Sequence, residues 1–70
     1  MKRMELIKRR MVLGLTQGEM AKKARVSMTP IVGLEAGESF PHPRNLPNLA
    51  RAYDIPTVDF VTLLYKEEEK

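Results

Sequence analysis

Cysteine is absent from the 70 residues, so no disulfide framework and no thiolate metal site supports the fold. Tryptophan is absent too, and two phenylalanines and two tyrosines make up the whole aromatic content. No apolar run approaches the roughly 20 residues that a membrane span needs, and no secretory signal pattern opens the chain. A soluble, cytoplasmic protein is the default expectation. A chain this short makes one domain whose core is only marginally stabilising, which leaves helix packing, helped by dimerisation, to hold it together. The single histidine, His42, has no partners at metal-ligand spacing. It reads as a loop residue without a role, and no metal or cofactor is expected. Catalytic sets are missing as well: there is no Ser/His/Asp combination and no glycine loop to cradle phosphates. Asp54 and Asp59 are single carboxylates near helix ends, where capping and dipole effects account for them. An enzyme has almost no support here.

Charge, by contrast, is plentiful and unevenly spread. Residues 1–34 carry eight cations against two acids, a net +6, whereas residues 35–70 carry four cations against seven acids, a net −3. A basic half beside an acidic half suggests one face meant for a polyanion, although charge alone is equally consistent with solvated helix faces. The stretch from Leu15 to Gly37 organises the rest. Thr16 is a helix N-cap candidate, and Glu19 three residues on completes a capping-box pair. Met20, Ala21 and Ala24 then share one helix face. Ser27 is a second cap candidate, followed by an Ile31/Leu34 stripe that stops at Gly37, a frequent helix C-cap residue. Two short helices joined by a tight turn describe a helix-turn-helix.

Gly14-Leu15-Thr16-Gln17, Glu19-Met20-Ala21, Val26-Ser27, Ile31, Leu34-Glu35 and Gly37, in this order and spacing, resemble the Cro/CI-type (XRE) helix-turn-helix domains. Lys8-Arg9-Arg10, Leu34-Glu35-Ala36-Gly37 and Pro43-Arg44-Asn45-Leu46-Pro47 are similar to the corresponding pieces of lambdoid phage repressors and Cro proteins. The likeness covers roughly residues 5–64. It implies an all-α, compact five-helix, lambda-repressor-like domain over residues 1–65 with a charged tail at 66–70. It also implies a double-stranded DNA operator as partner, a small phage- or prophage-type transcriptional regulator, and neither a membrane nor a small-molecule ligand. The positions it assigns to DNA are Arg10, Thr16, Gln17, Ser27, Met28, Thr29, Val32, Gly33 and Arg44. Thr16, Gln17 and Arg44 fall where similar repressors touch the DNA backbone. Arg10 falls near the glutamate of helix 3, here Glu35, as an ion pair, a phosphate contact or both. Arg25 stands where the family usually has glycine, so positive φ is expected there, its strain either offset by a phosphate contact from the side chain or carried by a side chain that is simply exposed, the second being favoured.

In chain order, Met1 to Arg3 reads as a frayed start and Met4 to Leu13 as helix 1, with Leu6 or Ile7 and Leu13 inward and Gly14 as its stop. Helix 2 runs from about Gln17 to Ala24, its N-terminus favouring an anion such as phosphate. Helix 3 is unusual. Bidentate readout of guanine or adenine needs amide or guanidinium groups, and Met28, Thr29, Val32 and Gly33 have none. Thr29 offers one hydrogen bond and one methyl, Met28 and Val32 only apolar contact, and Gly33 close approach. Either this helix reads DNA through apolar contact and shape while phosphates supply affinity, or the repressor fold is kept and the helix 3 surface binds a protein. Pro30 fits the first turn if Ser27 is the cap, or else makes Thr29 the cap and shortens the helix. Glu38 to Asn45 reads as a loop pinned to the core by Phe40. Asn45 is expected to cap helix 4, with Leu46, Leu49, Ala50 and Tyr53 inward, and Thr57 to cap helix 5. The apolar content of helix 5 exceeds one small core, so Val58 and Val61, beside Leu46 or Pro47 of a second copy, are expected at a homodimer interface that can form on DNA.

Overall fold

The computed structural model describes residues 2–68, which form five helices and, among the described residues, no strand. They are α1 (Met4–Val12), α2 (Gln17–Ala24), α3 (Met28–Ala36), α4 (Leu46–Ala52) and α5 (Thr57–Glu68), with a 3₁₀ turn at Pro43–Asn45 before α4. No helix among them is long and apolar enough to cross a membrane. The expected all-α, five-helix architecture is therefore the one observed.

Local chemistry explains most of the boundaries. Gly14 ends α1 at φ 75°, a conformation that costs glycine nothing. The Thr16/Glu19 capping box forms: the Glu19 N–H donates to Thr16 Oγ1 at 3.1 Å, and the Thr16 N–H donates to Glu19 Oε1 at 2.9 Å. Arg25 closes α2 in the left-handed region at φ 61°, as its place in the turn predicted, and its side chain is exposed. Asp54 does the same after α4 at φ 63°, with the Ile55 N–H reaching back to the Ala50 carbonyl.

Several ends differ from expectation. Ser27 stands at the N-cap of α3, but its side chain makes no capping hydrogen bond. Pro30 is the third helical residue, where its missing N–H costs nothing. Asn45 does not cap α4: it is already helical, at φ −90° and ψ −8°, because the 3₁₀ turn runs straight into the helix. A capping side chain needs extended backbone. His42 acts as the cap instead, at the start of the 3₁₀ turn, its Nδ1 accepting from the Arg44 N–H at 3.2 Å. Thr57 is the first residue of α5 rather than its cap, since the Phe60 N–H already closes on the Pro56 carbonyl. α5 continues through Lys66 to Glu68, so the 66–70 stretch is helical at its start; Glu69 and Lys70 lie outside the described residues.

The core is one cluster. α2 packs on α3 and α4, α4 on α5, and α1 on α3. Leu6, Met20, Ala24, Ile31, Leu34, Leu49, Ala52, Tyr53, Phe60 and Leu64 are buried in it. Each large apolar side chain so buried contributes about 1.5–3 kcal/mol relative to exposure. Arg3 joins them, which corrects the expectation of a frayed start there; Met1 itself lies outside the described residues. The Arg3 guanidinium, only 2 % exposed, donates to the Leu34 carbonyl at 2.8 Å and the Ser39 carbonyl at 2.9 Å. The Arg3 N–H also meets the Glu35 carbonyl at 2.9 Å. One residue thus ties the start of α1 to the end of α3 and to the chain that follows it.

Candidate nucleic-acid interface

The N-terminus of α2 is built first by its cap. Thr16 and Glu19 satisfy each other, and Gln17 and Gly18 occupy the first two helical positions, whose N–H groups point out of the helix. Behind them sits a shared carboxylate. Glu35, buried on α3, accepts from Arg10 Nε of α1 at 2.8 Å and 3.1 Å to its two oxygens. It also accepts from Gln17 Nε2 at 3.1 Å and from the hydroxyl of Tyr53, at the end of α4, at 2.6 Å. Arg10 Nη1 donates further to the Leu15 carbonyl at 2.9 Å, which ties in the segment before α2.

This geometry fixes the charges. Burial alone would push the Glu35 carboxyl up, but the hydrogen bonds from Arg10, Tyr53 and Gln17 outweigh it and hold the group below the usual carboxylate range. Arg10 is held above its ordinary value, chiefly by its hydrogen bond to Glu35. Burial and the Glu35 partner push the Tyr53 phenol up, so it stays a hydrogen-bond donor. Gln17 is consequently not a loose surface amide: one of its N–H groups is committed inward, which sets the direction of the rest of the amide. The expected proximity of Arg10 and Glu35 is present; the shares of Gln17 and Tyr53 in the same carboxylate were not visible in the sequence.

The other expected residues gather along α3 and the segment after it. Ser27, Met28, Thr29 and Val32 are exposed on the outer side of α3. The Met28 sulfur lies 3.9 Å from where a Cβ on Gly18 would stand, so Met28 sits against the start of α2. Gly33 lies against the chain that follows α3. A Cβ there would lie 2.5 Å from Ser39 Oγ, and the Glu38 N–H donates to the Gly33 carbonyl at 3.0 Å. Its lack of a side chain makes room for the returning chain.

That returning chain forms the far wall of a cleft of about 770 Å³, bounded by Met28, Val32 and Gly33 on one side and Phe40, Pro41 and His42 on the other. Phe40 does not pin the loop by burial: it remains 42 % exposed and is held between the Arg3 guanidinium, 5.6 Å above its ring, and Tyr65 of α5, 5.2 Å away. Arg44 is exposed just beyond, on the 3₁₀ turn. Among the described residues no group of three His, Cys, Asp or Glu side chains is placed to hold a metal ion.

Two short helices packed across a left-handed turn, the second with a free outer face, make this a helix-turn-helix protein. A family model described as a helix-turn-helix domain matches residues 4–63, and the chain belongs to that XRE-like family of DNA-binding domains. No curated protein sequence matches the chain.

Proposed function

We propose that the domain binds double-stranded DNA sequence-specifically as a small cytoplasmic transcriptional regulator of the phage repressor or Cro type, with α3 in the major groove. The observation that carries this reading is the placement of Gln17. Gln17 is the first residue of α2, where the helix N–H groups lack intrahelical partners, and its amide is anchored by donating to Glu35. In this reading the N–H groups there, with Gln17, Arg10 and Arg44, hold phosphates and set the register, while Met28, Thr29 and Val32 face bases. The working unit is a homodimer, and neither a cofactor nor a small-molecule ligand takes part. The exposed apolar trio of Met28, Val32 and Phe40 favours a second reading, in which a protein helix docks on α3 instead.

A titration across ionic strength tests the first reading. Affinity should fall linearly on a log–log scale, with a slope of about −0.9 for each phosphate neutralised. Gln17→Ala should weaken binding to all sequences about equally, because a phosphate contact carries no sequence information. Binding that ignores salt between low and physiological ionic strength would overturn the reading in favour of the protein partner.

A further inference from the structure

Resting on the DNA-binding reading above, we propose that α3 selects thymine by the methyl group at its C5 position rather than by a hydrogen-bond pattern. The side chains that stand out from α3 are apolar at their tips: Met28 is 49 % exposed, Val32 is 40 % exposed, and Thr29 beside them presents one methyl. The position after Val32 contributes no polar reader, because Gly33 has no side chain, and Ser39 Oγ stands 2.5 Å from where its Cβ would be. Amide and guanidinium groups are therefore missing from the outward positions 28, 29, 32 and 33 of α3.

The shape of the surface suits the same ligand. Met28 and Val32 lie four residues apart, so they are neighbours on one helix face and form one lip of the cleft. Phe40 and Pro41 form the opposite lip, and Phe40 is fixed there by Arg3 and Tyr65 rather than free to collapse inward. The surface is thus a recess with apolar lips, to which Glu38, Ser39, His42 and Asn45 add polar groups. In the major groove the thymine methyl is the one apolar feature that a base pair projects, whereas guanine presents two acceptors and cytosine a donor. Setting those polar edges against Met28 and Val32 would strip their water without replacing it. Setting a methyl there buries carbon against carbon. Attraction to thymine and rejection of G·C pairs come from the same side chains.

One methyl removed from water in this way corresponds to about a fourfold change in affinity, and two half-sites changed together to about fifteenfold. The experiment uses DNA rather than protein variants as its main lever. Sites are selected from random duplex DNA, and each thymine of the selected site is then replaced by deoxyuridine, which keeps every hydrogen-bonding group and lacks only the methyl. At one or more thymines per half-site, affinity should drop about fourfold. In Val32→Ala, verified as folded by its helical circular dichroism, that sensitivity should shrink at one of them. A selected site without thymine, or one whose affinity survives replacement of every thymine, overturns the proposal and leaves the DNA-binding reading standing. Failure to enrich any site overturns that reading, and this proposal with it.

Discussion

A carboxylate almost entirely withdrawn from water, as Glu35 is, survives as an anion only where donors replace the water it lost. Here Arg10, Gln17 and Tyr53 do so from three other helices, making Glu35 the residue through which α1, α2, α3 and α4 are joined. The donors are not equivalent. Removing the carboxylate charge leaves a mostly buried arginine without its counter-ion, so Glu35→Gln should cost about 2–3 kcal/mol, toward the low end for broken buried pairs because Arg10 keeps some access to water. Tyr53→Phe deletes one hydrogen bond and leaves the pair intact, which should cost about 1–2 kcal/mol. The pH dependence follows from the lowered Glu35 value. The unfolded chain binds this proton more readily than the folded one, so the stabilisation is complete above the ordinary carboxylate value of about 4.3 and is lost as pH falls through the lower folded value. Glutamine cannot take up that proton. Urea unfolding of the two proteins should therefore show a gap that is widest near neutral pH and closes in acid. A gap that stays constant down to about pH 2–3 would mean that Glu35 is not the titrating group.

At the scale of elements, the turn between α2 and α3 carries a measurable strain. Arg25 holds φ 61° without a glycine's freedom, and among the described residues its exposed side chain makes no hydrogen bond or ion pair that would compensate. Relative to that strain, of about 1–2 kcal/mol, glycine gives back about 0.5–1 kcal/mol through its greater freedom when unfolded. Arg25→Gly should therefore stabilise the fold by up to about 1 kcal/mol, seen as a raised midpoint of thermal unfolding. A lowered midpoint would show that the side chain contributes something the geometry hides. This turn was legible in the sequence for the same reason that α2 was: caps, box and stop lie within a few residues of one another. Legibility failed where the partner is remote or the backbone is already committed. Nothing near Arg3 signals that its guanidinium meets carbonyls 31 and 36 residues away. Asn45 has the right chemistry for a cap, but a 3₁₀ turn hidden in Pro43–Asn45 had already made it helical. In both cases what decides the residue's role lies outside the local pattern, in a remote carbonyl for Arg3 and in the preceding backbone turn for Asn45.

At the scale of the whole molecule, the proposed DNA reading leaves one helix to supply specificity, and α5 suggests how a second copy would add to it. Phe60 and Leu64 are fully buried in the core, yet Val58, on the same helix, is 74 % exposed, and Val61 and Leu63 are only half-buried. That outward face lies on a helix packed against α4, whose first residues, Leu46 and Pro47, are half-buried and exposed respectively. We expect two copies to meet there about a two-fold axis. The domain measures 29 × 21 × 20 Å, so two of them side by side span about 40–58 Å, enough to hold two α3 helices one turn of DNA, about 34–36 Å, apart. Two such helices on adjacent turns raise affinity by making the second contact intramolecular, with no new base contact required. The contact can be too weak to hold in free solution and still decide binding on DNA, so a monomer without DNA is compatible with it. Stoichiometry on a selected operator is the measurement, and two chains per site are expected. Val58→Asp should reduce binding steeply through charge repulsion across the axis. It should leave each domain folded, since an exposed substitution typically shifts stability by less than about 0.5 kcal/mol. One chain per operator, or affinity unchanged by Val58→Asp in a protein that remains helical, would place Val58 outside any interface and leave the single helix to act alone.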